Sequence, residues 1–330
     1  MTIRTPSFWY RPRSFISWSL LPFSLLYLAL HKIKTISTKT YISSVPVICI
    51  GNLVAGGSGK TPVALAIMDI VQSLNLAKKP AFLSRGYGGT LCSAVQIDLD
   101  HHSIKETGDE PRLLARKAPV IISRYRPDGA QLAEKSGIDL LVMDDGFQNP
   151  SLHKTVRLVV IDGAAGFGNG FPLPAGPLRQ SRGEGFKNAD AFIIINEDQH
   201  NIAASLPAEK PVFKALLAVK DFPHIADAHY VAFCGLGRPE KFRQTIMNQG
   251  LTLKGWHAFP DHYSYSRADL ERLDQEANDK GARLLTTEKD AARLPQDFSW
   301  QAPLDIMNVA IEWADKNALT AFIKTKLNRP

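Results

Sequence analysis

Residues Val54-Ala55-Gly56-Gly57-Ser58-Gly59-Lys60-Thr61 combine three chemistries that a polyphosphate needs. The glycines let backbone N–H groups converge on phosphate oxygens, the Lys60 ammonium can neutralise β/γ charge, and the Thr61 hydroxyl can hold Mg²⁺. The segment follows the apolar run Val45-Pro46-Val47-Ile48-Cys49-Ile50 and precedes an apolar helical pattern, the strand–loop–helix order of a phosphate-binding loop. Val54 stands where the general G-x-x-x-x-G-K-[ST] pattern has glycine. Glycines also serve turns that need positive φ, so the order of strand, glycines, Lys-Thr and helix carries the nucleotide reading.

Acidic groups recur at two places suited to the same chemistry. Ile138-Asp139-Leu140-Leu141-Val142-Met143-Asp144-Asp145 is an apolar strand ending in two acids, the order of a Walker B strand whose carboxylates hold Mg²⁺ or its waters. Read alone, the pair can instead close a strand-end turn with Gly146. Gly108-Asp109-Glu110-Pro111 precedes a helical pattern at 112–117. Acids there cap free N–H groups, and a carboxylate at that place can also accept a proton from a substrate hydroxyl. His262, in Phe259-Pro260-Asp261-His262-Tyr263, can assist such a base or serve structure alone. Arg85, in Ser84-Arg85-Gly86-Tyr87-Gly88, and Arg179, closing Pro174-Ala175-Gly176-Pro177-Leu178-Arg179, each suit an anionic oxygen. Thr286-Thr287-Glu288-Lys289-Asp290 lacks the Asn of a guanine-reading signature, so GTP is not implied.

These groups must be positioned by alternating strands and helices. After the loop, residues 62–74 are helical in pattern, and β-rich runs follow at 81–84, 120–123, 140–143, 158–161 and 192–195. That alternation predicts an α/β fold with a mostly parallel sheet of the P-loop NTPase type. A second series begins near His229, with strands at 230–234, 283–286 and 305–310 and a helix from Pro239, which predicts a smaller second α/β lobe. The predicted organisation is an N-terminal membrane-associated segment at 1–40, a P-loop kinase core at 41–220 and the smaller lobe at 221–330. The junction falls at 219–228, where Asp221-Phe222-Pro223-His224 breaks the pattern.

The chain of 330 residues is 45% hydrophobic and 22% charged, a folded composition with room for two domains. Its formal charge of +7 is local: residues 1–68 hold Arg4, Arg11, Arg13, Lys32, Lys34, Lys39 and Lys60, and the first acid is Asp69. The remaining 32 basic residues balance the 32 acids, which argues against a nucleic-acid surface and for an N-terminal segment that meets something anionic. Residues 15–30 carry no charge and are flanked by Arg11, Arg13, Lys32 and Lys34. The stretch falls short of the ~20 residues of a spanning helix and contains Pro22, so an interfacial or re-entrant helix is predicted as readily as a crossing one. Phe8, Trp9, Tyr10, Trp18 and Tyr27 suit a headgroup region, although a buried core helix has a similar pattern. No small-residue cleavage site precedes His31-Lys32, which sets a signal peptide aside. Cys49, Cys92 and Cys234 are isolated, implying neither a disulfide framework nor a zinc site.

Together the motifs Gly51-Asn52 through Thr61-Pro62, Ser84 to Gly88, Gly108 to Pro111, Asp144-Asp145-Gly146-Phe147-Gln148, Pro174 to Arg179, Phe259 to His262 and Thr287 to Asp290 resemble the tetraacyldisaccharide 4′-kinase family of lipid A biosynthesis, over nearly the whole chain. That family tolerates Val at the first loop position. The resemblance implies a lipid kinase that moves the ATP γ-phosphate to the 4′-hydroxyl of an acylated glucosamine disaccharide 1-phosphate, at the cytoplasmic face of the bacterial inner membrane. It implies ATP as substrate, Mg²⁺, two lobes, and neither nucleic acid nor an obligate protein partner. Carried onto this chain, it makes Asp109 the base, with His262 tuning it. Thr61, Glu110, Asp144 and Asp145 organise Mg²⁺, Lys60 and Arg179 stabilise phosphate charge, and Arg85 and Gln148 meet the lipid substrate. The competing readings from the residues are a membrane-docked P-loop switch or partition-type NTPase, and a soluble small-molecule kinase whose N-terminal helix is core.

Overall fold

The computed structural model describes residues 6–220, 222, 225, 227–295 and 297–328. Arg4 of the basic N-terminus and Asp221, Pro223 and His224 of the expected junction lie outside the described residues. The chain forms two compact units, one of residues 6–217 with 311–328 and one of residues 218–310.

In the larger unit the strands are β1 (Val47–Gly51), β2 (Pro80–Ser84), β3 (Val95–Gln96), β4 (Val120–Ile122), β5 (Leu140–Asp144), β6 (Val156–Asp162), β7 (Ala191–Ile195) and β8 (Val212–Lys220). They lie in the order β8-β7-β6-β1-β5-β2-β4-β3, and only β3 runs against its neighbour. The central sequences Val-Ile-Cys-Ile, Leu-Leu-Val-Met and Ala-Phe-Ile-Ile-Ile have no polar alternation because both faces are covered. Alternate residues therefore serve different cores: Ile48 and Ile50 of β1 pack with one cluster, Val47 and Cys49 with the other. The order reverses at β1, the kind of switch point at which open parallel sheets place ligands beyond their carboxyl ends.

Two N-terminal helices, α1 (Phe15–Ser19) and α2 (Leu21–Ser37), divide the uncharged stretch at Leu20, with Pro22 accepted in the first turn of α2. Among the described residues no helix is long and apolar enough to cross a membrane. Phe15, Leu25, Leu26, Ile33 and Ile36 are exposed, whereas Ser17 and Ser24 on the inward side are fully buried. The inward side is held by hydrogen bonds to residues 169–175, so the described part of this segment packs on the larger unit.

Helix α3 (Lys60–Ser73) buries Val63, Ala64, Ile67, Met68, Ile70 and Val71, the 3.6-residue stripe of an amphipathic helix against a sheet. The short α4 (Ile104–Thr107) and α5 (Asp109–Ala115) meet at Gly108, and α6 (Arg126–Lys135) and α7 (Arg182–Asn188) complete this part of the unit. The first turn of α5 includes Asp109 and Glu110, so the helix starts three residues before the 112–117 pattern predicted for it.

The smaller unit runs β9 (His229–Cys234), α8 (Pro239–Asn248), β10 (Thr252–Ala258), α9 (Arg267–Asp279), β11 (Arg283–Thr287), α10 (Glu288–Ala291) and into β12 (Leu304–Trp313). Its strands are parallel in the order β10-β9-β11-β12, with Val231, Phe233, Leu270, Leu273 and Leu284 in its core. The chain then returns to the larger unit as α11 (Lys316–Leu327). Here the structure departs from a lobe spanning 221–330. The Leu319, Phe322 and Ile323 face of α11 packs into the core that contains Ile48 and Val160, and Lys326 Nζ donates to Asp190 at 3.0 Å. A single helix with one apolar face gives no sequence signal of which sheet it will cover.

Ile323→Ala should therefore destabilise the larger unit by about 2–5 kcal/mol, the usual cost of emptying a buried aliphatic site. Chemical denaturation of the full chain measures this. An unchanged unfolding midpoint would remove α11 from that core.

Candidate active site

The loop between β1 and α3 turns on Gly56 (φ 105°) and Gly59 (φ 79°), conformations that need glycine. At Gly59 a Cβ would also lie 2.7 Å from Ile195 Cδ1. Ser58 is buried and accepts a hydrogen bond from Asn52 Nδ2 at 2.8 Å, which ties the tip of the loop to its root. Val54 is buried in the core and pairs with Leu178, which explains a branched apolar residue at that position. The Ala55 N–H donates to Pro177 O at 2.7 Å. Among the described residues, the N–H groups of Gly56, Gly57, Ser58 and Gly59 have no carbonyl partner, so they are available to an anion.

Helix α3 opens with Lys60 and Thr61 beside the end of β5. Strand register places Asp144 next to Ile50, so the acid lies one strand from the root of the loop. Thr61 Oγ1 donates to Asp144 Oδ2 at 3.0 Å. The other oxygen, Asp144 Oδ1, is buried and has no hydrogen-bond partner among the described residues. Burial, reinforced by the charge of Glu110, pushes the Asp144 carboxyl up to about 7, although Lys60 opposes the shift. Asp145 follows in a left-handed conformation, φ 52°, which turns its carboxylate toward two cations. Lys60 Nζ lies 3.6 Å from Oδ2, and Arg179 Nη1 donates to Oδ1 at 2.8 Å. Burial alone would raise the Asp145 carboxyl, but Lys60 and Arg179 outweigh it and hold the group below its ordinary value.

The remaining predicted residues divide between the units. Asp109 is buried in the first turn of α5, at the edge where β2 ends. Its neighbour Gly108 has φ 81°, and a Cβ there would lie 2.3 Å from Tyr87 O, so glycine lets the 84–89 loop close on this turn. That packing brings the Arg85 loop and the Asp109-Glu110 pair together. Gln148 is held otherwise: its Nε2 donates to Asn52 O at 2.6 Å, bracing the root of the phosphate loop. His262 belongs to the smaller unit, where it has φ 57°, its N–H donates to Gly235 O at 3.2 Å, and its Nε2 lies 3.8 Å from Asp261 Oδ1.

Arg126 escaped the sequence reading. It opens α6, is only 2% exposed, donates from Nη1 to Ser123 O at 2.5 Å, and leaves its buried Nε without a partner among the described residues. Burial first and the nearby charge of Arg85 second lower its guanidinium to about 10, so it stays charged at neutral pH. The available signal was Arg126-Pro127 opening a helix directly after a strand, which is also an ordinary helix start.

A sequence model of the tetraacyldisaccharide-1-P 4′-kinase family matches residues 16–328. A tetraacyldisaccharide 4′-kinase from Paramagnetospirillum magneticum is 41% identical over 320 residues, covering 96% of this chain and 97% of its own. One from Rhodospirillum rubrum is 42% identical over 326 residues, covering 97% of each. Among solved structures, a crystal structure of LpxK from Aquifex aeolicus in complex with ATP superposes with a TM-score of 0.77 at 27% identity, covering 94% of this chain and 99% of that one.

The electrostatics of the strand end can be read directly. In nucleotide-free protein, Asp144 should take up a proton as pH falls through about 7, while Asp145 should stay ionised below the ordinary carboxylate range. Lys60→Ala removes a cation that favours both ionised forms, so both titrations should move to higher pH. Carboxyl-labelled aspartate NMR measures the two curves. An Asp144 that titrates with surface aspartates would contradict its burial.

Proposed function

The chain belongs to the tetraacyldisaccharide-1-P 4′-kinase family, and from that premise we propose how its residues transfer the γ-phosphoryl group of ATP to the 4′-hydroxyl of tetraacyldisaccharide 1-phosphate. One observation carries the assignment: Lys60, Thr61, Asp144, Asp145 and Arg179 converge where a loop with free N–H groups meets the end of β5. In this reading residues 54–61 wrap the β- and γ-phosphates. Lys60 and Arg179 leave Asp145 to meet phosphate oxygens, and Asp145 stands in for that charge until the nucleotide arrives.

The donor set fits Mg²⁺. A buried carboxylate with an unpartnered oxygen lies beside a threonine hydroxyl, and both are hard oxygen ligands. Among the described residues no group of three or more His, Cys, Asp or Glu could hold a metal ion, so Glu110, Asp144 and Asp145 do not make a three-carboxylate site. Thr61 and Asp144 would hold it, with Asp145 and Glu110 nearby, and when bound it neutralises charge on the β/γ oxygens.

Asp109 takes the proton of the 4′-hydroxyl as that oxygen bonds to the γ-phosphorus and the bond to the β-phosphate bridge breaks, releasing ADP. Its place in α5, beside the loop that carries Arg85, supports this role. We assign Arg85 to an anionic group of the lipid, and Gln148, which braces the root of the phosphate loop through Asn52, to the substrate side of that loop.

We further assign the exposed apolar face of α1 and α2, with Arg11, Arg13, Lys32 and Lys34 around it, to docking at the cytoplasmic face of the inner membrane. Four acyl chains keep the substrate in the bilayer, so the reacting hydroxyl is met at the interface. Anionic headgroups attract each nearby cation by about 1 kcal/mol.

Purified protein with Mg-ATP and the disaccharide 1-phosphate lipid should yield product with one added phosphate by mass analysis. Lys60→Ala and Thr61→Ala should each lower turnover on the order of 10²-fold, whereas Asp109→Asn should lose most transfer while keeping ATP affinity. A folded Asp109→Asn enzyme with wild-type turnover would return Asp109 to a helix-start role. Replacing Phe15, Leu25 and Ile33 together by Ser should weaken sedimentation with anionic vesicles and raise the apparent KM for bilayer-embedded lipid. Unaltered vesicle binding would assign docking to another surface.

A further inference from the structure

The N-terminal segment is wired into the phosphate site through residues 169–179. On the docking side, Asn169 N–H donates to Trp9 O at 2.7 Å, and Asn169 Nδ2 donates to Ser17 Oγ at 3.2 Å. Ser24 Oγ donates to Pro172 O at 2.9 Å and accepts from Ala175 N–H at 3.1 Å. The segment itself is stiff: Asn169 also bonds Ala175 O and Phe171 N–H, and Leu173 N–H donates to Leu178 O at 2.9 Å. Glycine is required where it folds on itself, since a Cβ at Gly176 would lie 2.1 Å from Asn169 Oδ1.

On the site side, two residues are each held at both their N–H and their carbonyl. Ala55 of the phosphate loop has its N–H on Pro177 O at 2.7 Å and its carbonyl on the Tyr10 hydroxyl at 3.3 Å. Arg179 has its N–H on Leu53 O at 2.8 Å and its carbonyl on the Tyr27 hydroxyl at 3.0 Å. In each case the carbonyl partner, Tyr10 or Tyr27, comes from the segment assigned to docking, and the N–H bond joins residues 169–179 to the root of the phosphate loop. Tyr27 lies in α2 with the exposed Phe23, Leu26 and Leu30, whereas Tyr10 and its neighbours Phe8 and Trp9 are half-buried.

We infer that residues 169–179 form a strut and that Tyr10 and Tyr27 are positioning residues: they set the phosphate loop and the Arg179 backbone, so that turnover as well as lipid capture depends on the docked segment. The inference rests on the phosphate-handling role given to Arg179 and residues 54–61. Its physical basis is that misplacing a charge-stabilising group by a fraction of an ångström lowers the rate while leaving ground-state binding nearly intact.

The test uses the full chain, with Tyr10→Phe, Tyr27→Phe, Arg179→Ala and the double variant Tyr27→Phe/Arg179→Ala, assayed on lipid in anionic vesicles. Phenylalanine keeps the ring and removes only the hydroxyl. Each Tyr variant should bind vesicles as the parent does, keep its lipid KM, and lose about 3- to 10-fold in kcat, the scale of one hydrogen bond. In the Arg179→Ala background the Tyr27→Phe loss should vanish, because Tyr27 acts through Arg179. A loss that persists undiminished in that background, an unchanged kcat, or a defect confined to vesicle binding or lipid KM would overturn the strut. Wild-type kcat in Arg179→Ala would instead sink the phosphate role of Arg179, a failure distinct from that of the strut.

Discussion

Asp144 is buried at the carboxyl end of β5 with one oxygen on a hydroxyl and the other without a partner among the described residues, and the surrounding architecture is what makes that tolerable. A carboxylate removed from water resists ionisation unless cations or hydrogen bonds offset the loss of solvation. At Asp144 the offset is partial, since Lys60 favours the ionised form but burial and Glu110 still hold the carboxyl up at about 7, and at Asp145 it is complete. Register brings β1 and β5 together, the first turn of α3 carries Lys60 and Thr61 over their ends, and Arg179 closes from the far side onto Asp145. The close approach has steric consequences: a Cβ on Gly51 would lie 2.3 Å from Phe147 Cβ, and one on Gly146 2.5 Å from Met143 Sδ. These glycines admit the two strand ends to one another, and the phosphate loop and the acids thereby share one small volume. The result is a site whose charges are arranged before any polyphosphate enters, so little reorganisation is left for the chemical step.

What the sequence revealed was local and tied to backbone demands. Residues 54–61 were legible because glycines, a lysine, a threonine and a flanking strand and helix must occur in one order. Asp144 and Asp145 were legible as acids ending an apolar run. Partners set by tertiary packing were not. Nothing in the spacing indicates that Gln148 braces Asn52, that Asn52 holds Ser58, or that Arg126 is buried near Arg85. Val54 was visible as a departure from the general pattern, but its reason, packing against Leu178, lies well over a hundred residues away. The same limit governs α11, whose apolar face fits either sheet by pattern alone, and its burial with Ile48 is decided by the chain's return into the larger unit.

Composition alone does not show how the N-terminal segment is joined to the rest of the chain. Its lack of acids and its uncharged stretch mark it as different from the rest of the chain, which invites treatment as a separate anchor. Two buried serines and a series of aromatic hydroxyl and indole hydrogen bonds join it to the body instead. Polar groups at those inward positions are meaningful because a purely anchoring helix has no need of directional bonds to a distant loop.

A kinase acting on a lipid must bring a water-soluble triphosphate and an interfacial hydroxyl to one place. Membrane affinity alone solves only the second half, since apolar burial at ~25 cal/mol per Å² has no direction. Orientation has to come from contacts with fixed geometry between the apolar face and the phosphate loop. In this fold that distance is bridged by one short, self-bonded segment, residues 169–179, which touches Ser17 and Ser24 on one side and Leu53 and Ala55 on the other. The same unit thus holds the exposed apolar face of α1 and α2 and the phosphate loop, and the path between them consists of hydrogen bonds, which transmit position as well as attraction.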